Sequence, residues 1–207
     1  MDKKYAMSLR VRYIWFTVAC VILGIGISFC DHAMFGTDAF SVLVKGLSVS
    51  VSISMSMSNA ILCGAHILVA WFMDRKDVTW ATVLSLFASS LGIGLADFFL
   101  PMVEAPVLRT LLMIAGIMIY TYGAAMSQYP KCGYTTYDCF IFSFQRVFHT
   151  DHYHLLRWIV DGGNLLAGWL LGGRVGLCTI LLVIGAGKMV EFWLRFLQSQ
   201  FGIVDRG

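Results

Sequence analysis

Charge is what this sequence has least of. Only 13% of its 207 residues are Asp, Glu, Lys or Arg, while 58% are hydrophobic. A soluble globular domain carries about 25% charged residues, so this chain cannot cover its own surface in water and reads as an integral membrane protein. Catalytic signatures are missing too: there is no Walker loop, dinucleotide fingerprint, G-x-S-x-G elbow or H-E-x-x-H. Nucleotide-driven work by this chain alone and enzyme activity are therefore not expected, and no cofactor or bound metal is expected. No basic run interleaved with exposed aromatics exists, which excludes nucleic acid as a partner; the net charge of +3 comes from cationic flanks. No small-x-small cleavage site follows the 18-residue apolar run 13–30, so that run is expected to be a retained span and not a signal peptide. The six cysteines, Cys20, Cys30, Cys63, Cys132, Cys139 and Cys178, lie mostly inside apolar stretches, as small hydrophobes do, and outline no disulfide framework.

What is present in abundance is apolar sequence of membrane-spanning length. Six segments, 11–30, 54–73, 78–100, 107–128, 155–173 and 175–196, are near the roughly 20 helical residues that cross a bilayer. Two shorter ones, 37–47 and 135–148, are interrupted by charge and predict re-entrant or interfacial helices. With the N-terminus cytoplasmic, eleven cationic residues fall inside: Lys3, Lys4, Arg10, Arg12, Arg75, Lys76, Lys131, Arg146, Arg157, Arg195 and Arg206. Only Lys45, Arg109 and Arg174 fall outside. The positive-inside rule therefore predicts a multi-pass membrane protein with both termini in the cytoplasm.

The stretch 48–58, SVSVSISMSMS, alternates like a strand, but a lone strand in lipid would leave its backbone groups unpaired at several kcal/mol each. It is expected instead to enter the second span as a helix, with Ser48, Ser52 and Ser56 stacked on one flank. Such a flank either packs helices closely or lines a polar pathway.

The two halves echo one another. GTDAFSVLVKG (36–46) corresponds to GYTTYDCFIFSFQR (133–146), NAILCGAHILVAW (59–71) to NLLAGWLL (164–171), and GIGLADFF (92–99) to GAGKMVEFW (185–193). Three crossings per unit is an odd number, so the second copy would enter the membrane upside down, which is a transporter architecture. The expected fold is all-α: six transmembrane helices in two inverted three-helix repeats, 11–100 and 107–196, each with a short half-crossing or interfacial helix. A basic cytoplasmic N-terminus (1–10) and a cytoplasmic tail (197–207) flank them.

The segments GIGISFCDHAMFGTDAFSVLVKGLSVSVSIS, DCFIFSFQR, DGGNLLAGWLLGGRVGLCT and GAGKMVEF carry a further likeness. Through them nearly the whole chain resembles the YczE/YyaS/YitT group of bacterial integral membrane proteins. The resemblance implies an inner-membrane location and a six-span fold; it implies no substrate. Thr37-Asp38 stands where that group commonly has proline, and Gly187-Lys188 stands where it often has Gly-Pro.

Ionisable residues at membrane depth must face a partner or water, and they supply the candidate pathway. Asp161, in IVDGGN before Asn164, is the foremost. Lys188 and Glu191 can pair across one turn. From the first half, Asp97, Asn59, Ser52, Ser56 and His66 are expected to face them. Asp38 and Asp138 are read as repeat-equivalent positions near helix starts. The loop cluster His149, His152 and His154, with Asp151, matches no strong zinc spacing and reads as a solvated loop. The expected function is a secondary carrier or exporter of a small polar or charged solute. The alternative is an accessory membrane subunit that stabilises a partner complex without moving solute. The expected partners are the lipid bilayer and the solute, with a second copy of the chain or another membrane protein as the protein contacts.

Overall fold

A computed structural model describes residues 4–5, 7–73, 75, 78–101, 103–149 and 153–204. The fold is all-α. Among the described residues there are eight helices: α1 (Leu9–Ala33), α2 (Ala39–Val51), α3 (Met55–Met73), α4 (Trp80–Phe99), α5 (Pro106–Gln128), α6 (Thr136–Val147), α7 (Tyr153–Leu170) and α8 (Leu177–Phe201). Two residues at each end, β1 (Lys4–Tyr5) and β2 (Ile203–Val204), pair in parallel. Lys4–Tyr5 and Ile203–Val204 therefore lie side by side.

Five helices, α1, α3, α4, α5 and α8, are long and apolar enough to cross a membrane. The expected span 155–173 corresponds to α7, an 18-residue helix that is not among these five. Arg157, Asp161 and Asn164 lower its apolarity. The two short segments do form separate helices, of 13 and 12 residues. Large apolar side chains such as Phe72, Phe98, Trp158 and Ile184 project outward over most of the surface, as a lipid-facing exterior requires.

The serine run departs from the expected continuous helix. It breaks in the middle: Ser52 takes a left-handed conformation (φ 57°) as the C-cap of α2, and α3 begins three residues later. The hydroxyls make this hinge affordable in an apolar medium by satisfying backbone groups. Ser48 Oγ donates to Ile53 O at 2.7 Å, and Ser54 Oγ accepts from Met57 N at 3.1 Å at the start of α3. Ser58 Oγ donates to Val44 O at 2.6 Å and ties α3 back onto α2.

Glycine sets the helix spacing. A Cβ added at Gly24 would stand 2.3 Å from Ser89 O, and one at Gly92 would stand 2.2 Å from Val21 O, so α1 and α4 touch backbone to backbone. Between α1 and α5, Gly26 abuts Tyr120, Gly123 abuts Leu23 and Gly116 abuts Cys30. Rising numbers on one helix meet falling numbers on the other, which makes the pair antiparallel. These contacts also stand in a fixed relation: Gly26 and Gly123, and likewise Leu23 and Tyr120, are 97 residues apart. The same interval separates the helix starts Leu9 and Pro106, Ala39 and Thr136, and Trp80 and Leu177.

Neighbour relations follow this interval. α1 packs on α4 as α5 packs on α8, α2 packs on α7 as α6 packs on α3, and α2 meets α3 as α6 meets α7. Even the turns match. Gly36 (φ +87°) tucks against Gly176 and Thr179 at the start of α8, and Gly133 (φ +157°) tucks against Thr79 and Ala81 at the start of α4. The relation fails at α4: α3 packs along α4, whereas α7 makes no comparable contact with α8, and the lesser contact of α4 with α6 has no comparable counterpart between α8 and α2.

Candidate functional site

The first turns of α2 and α6 face one another. Phe40 and Tyr137 meet with ring centroids 5.3 Å apart, and they too are separated by 97 residues. His66 of α3 completes an aromatic triangle, 5.0 Å from Phe40 and 5.9 Å from Tyr137, and stacks on Phe140 at 4.2 Å. Around these rings gather the charges that an apolar interior otherwise excludes.

Tyr137 is the hub. Its hydroxyl donates a short hydrogen bond to Asp161 Oδ1 and accepts one from Asn164 Nδ2 at 3.3 Å. Arg157, one turn before Asp161 on α7, places its guanidinium 3.7 Å from Asp161 Oδ2 and 3.7 Å from Asp138 Oδ1, above the Tyr137 ring. Asp138 also accepts from Thr135 Oγ1 at 3.0 Å. Tyr120 of α5 stands within electrostatic reach of Asp38, Arg157, Asp161 and Asp138.

Asp38 is the N-cap of α2, where Oδ2 accepts from Ser41 N at 3.3 Å. Its other oxygen, Oδ1, is buried without a hydrogen-bond partner, and so are Ser41 Oγ and His66 Nδ1. Among the described residues one further side-chain atom shares that condition, Trp15 Nε1. Three of the four orphaned atoms thus belong to one neighbourhood. The expected equivalence of Asp38 and Asp138 is offset by three residues: Thr135 is the N-cap of α6, and Asp138 lies in its first turn. Thr135, and not Asp138, is 97 residues beyond Asp38.

The cluster therefore brings together Asp161, Asn164, Asp38, Asp138 and His66 from the residues the sequence singled out. The others lie elsewhere. Asn59 Nδ2 donates to Ser89 Oγ at 3.1 Å and Ser90 Oγ at 3.0 Å, and Ser56 Oγ donates to Ser90 O at 2.6 Å, so both fasten α3 to α4. Ser52 is the exposed hinge residue. Asp97 accepts a short bond from Ser28 and lies 3.8 Å from His32 Nδ1 on α1. Near it on α1, Asp31 pairs with Lys45 of α2 at 2.5 Å. Glu191 is exposed and pairs with Arg195 at 2.5 Å instead of Lys188. Lys188 borders a groove of about 270 Å³ lined by Met118, Met189, Phe192 and Trp193.

Of the histidine loop, His149 is exposed with Nδ1 toward the Arg146 carbonyl at 2.8 Å; Asp151 and His152 lie outside the described residues, as does the side chain of His154. All six cysteines are free thiols.

Sequence reasoning passed over Tyr137, Arg157, Phe40 and Ser41. The i,i+4 spacing of Arg157 and Asp161 was the available signal, since it puts a cation and an anion on one face of a helix. Tyr137 offered no comparable signal, because an aromatic in an amphipathic helix is ordinarily packing.

The chain is similar to an uncharacterized protein of Haemophilus influenzae, with 26% identity over 179 residues that cover 86% of this chain and 81% of the relative. No solved structure matches it. The profile of DUF6198, a family of unknown function, matches residues 10–195, and the chain belongs to that family.

Proposed function

We propose that this protein is a secondary carrier or exporter that moves a small polar or charged solute through a site at mid-membrane between two inverted repeats. The observation that carries the reading is the 97-residue register. It relates the antiparallel contacts of α1 and α5 and the facing rings of Phe40 and Tyr137. A pair of antiparallel equivalents in mutual contact is what a two-fold axis in the membrane plane produces. Adjacent termini add a parity argument: chain ends on one side require an even number of crossings, so five apolar helices need a sixth, and α7 is the available one. Its Arg157 and Asp161 then lie at membrane depth, tolerable because they face Asp138 and Tyr137 and not lipid. Without Arg157, which this reading moves into the membrane, the excess of Lys and Arg on one side still favours cytoplasmic termini, and the likeness to the YczE/YyaS/YitT group favours the bacterial inner membrane.

Mechanistically, α2 and α6 are short helices with their first turns aimed at a shared seam. Backbone N–H groups and the positive ends of the helix dipoles converge there. Asp38, Asp138 and Asp161 meet that field, with Arg157 between the latter two. Rocking one repeat against the other would open this seam to each side in turn. The test is counterflow of labelled metabolites into proteoliposomes. Flux that falls at least tenfold in Asp161→Asn supports the carrier; absence of flux for every solute class, with Asp161→Asn indistinguishable from wild type, refutes it.

A further inference from the structure

We propose that the seam between α2 and α6 binds a small organic cation carrying N–H donors, a primary or secondary amine, with Asp38 Oδ1 as its acceptor. This deepens the carrier reading and rests on it for the route by which the amine would reach the site.

Three observations point to that chemistry. The first is the charge balance: Asp38, Asp138 and Asp161 surround the seam and one guanidinium, Arg157, answers them. Arg157 is engaged by Asp138 and Asp161, whereas Asp38 makes no ion pair among the described residues. The second is Asp38 Oδ1, a buried atom with no partner in hydrogen-bonding geometry; Ser41 Oγ lies against the same carboxylate but carries no charge to answer it. A buried carboxylate oxygen without a donor is costly. A water could donate to it but would leave the negative charge uncompensated, whereas an ammonium N–H supplies donor and charge together. Ser41 Oγ, 1% exposed, and His66 Nδ1, in a side chain 8% exposed that packs on Phe40, are likewise buried with no partner in hydrogen-bonding geometry. The third is the wall: Phe40, Tyr137 and His66 turn aromatic faces toward one another at this point. Aromatic faces attract ammonium groups and not carboxylates. Bare alkali ions prefer a cage of oxygens, which these rings do not provide.

The experiment uses the purified full chain in detergent, with methylammonium as probe and tetramethylammonium, sodium and acetate as comparisons. Methylammonium is expected to raise the unfolding temperature and to bind saturably as a radiolabel. Tetramethylammonium, which has no N–H, is expected to bind more weakly. Asp38→Asn keeps the helix cap, since Asn caps as well as Asp, yet removes the charge; it is expected to weaken methylammonium binding at least tenfold. Ser41→Ala is a second variant, expected to weaken it less, and the unfolding temperature of each ligand-free variant establishes that it folds. No methylammonium binding by the wild type overturns the proposal. So does undiminished binding by a folded Asp38→Asn, or a larger stabilisation by sodium or acetate. The two readings fail separately. Methylammonium binding without any flux in proteoliposomes leaves the amine site and removes the carrier. Counterflow of an anion with no methylammonium binding does the reverse.

Discussion

At the scale of single residues, the same amino acid does opposite things at different positions. Gly92 holds α4 against the backbone of α1, and a methyl group there would lie 2.2 Å from Val21 O with Val21 C and Cα close behind. None of those atoms can rotate away. Gly162 and Gly163 on α7 have nothing within 4 Å of an added Cβ, so they give up helix propensity without gaining a close contact. Gly92→Ala is therefore expected to destabilise the chain by about 1–3 kcal/mol, the usual cost of overpacking. Gly162→Ala and Gly163→Ala are expected to stabilise it by about 0.5–1 kcal/mol, the propensity that glycine forgoes in a helix. Thermal or denaturant unfolding of the purified variants measures both, and equal effects at Gly92 and Gly162 would contradict the packing described here.

At the scale of elements, composition and apolar run length made most helices legible, because lipid admits few other spanning solutions. Legibility failed where one local pattern admitted two outcomes. The alternating residues 48–58 form no strand, and they form no single continuous helix either. Ser52 turns left-handed there and Ser54 starts α3 afresh. A serine can bond its neighbours' backbone in a helix or at its end equally well, so the sequence alone leaves that choice open. The same ambiguity affects the correspondence between the halves. Asn59 and Asn164, or Asp38 and Asp138, look like partners by residue type, whereas the helix starts and contacts keep a 97-residue interval that pairs Asp38 with Thr135. Capping function is conserved between the two positions and side-chain identity is not. Asp161 and Asn164 were legible because a carboxylate in an apolar helix is costly anywhere; Tyr137 was not, because its role depends on which helix lies opposite. The hinge itself is testable. Ser54→Ala removes the hydroxyl that accepts Met57 N and is expected to cost about 1 kcal/mol, as lost N-caps do. Ser54→Asp, which can make the same bond, is expected to restore most of it. Unfolding free energies that leave Ser54→Ala unchanged would show that α3 needs no cap.

At the scale of the whole molecule, the broken relation carries the most information. Every other helix contact within the first half has its counterpart in the second, but the α3–α4 interface, closed by Asn59 on Ser89 and Ser90, has none between α7 and α8. In its place the second half has open glycines, Gly162 and Gly163 on one helix and Gly185 and Gly187 on the other, each with nothing within 4 Å of an added Cβ. Lys188 and the groove against α5 lie on the same exposed stretch of α8. In the carrier proposed above, a difference of this kind between the halves is what alternation between two states would produce. A carrier opens one side as it closes the other, and each repeat visits the arrangement of its twin. Under that proposal, the open glycines of both helices would leave room for α8 to swing onto α7 as α4 sits on α3. Spin labels at positions 162 and 187, in the full chain reconstituted in lipid, should then report two populations. The longer distance would match the separation seen here, and the shorter would approach the spacing of α3 and α4. A single long distance that persists while the same preparation carries out solute counterflow would rule out this closure as the transport motion.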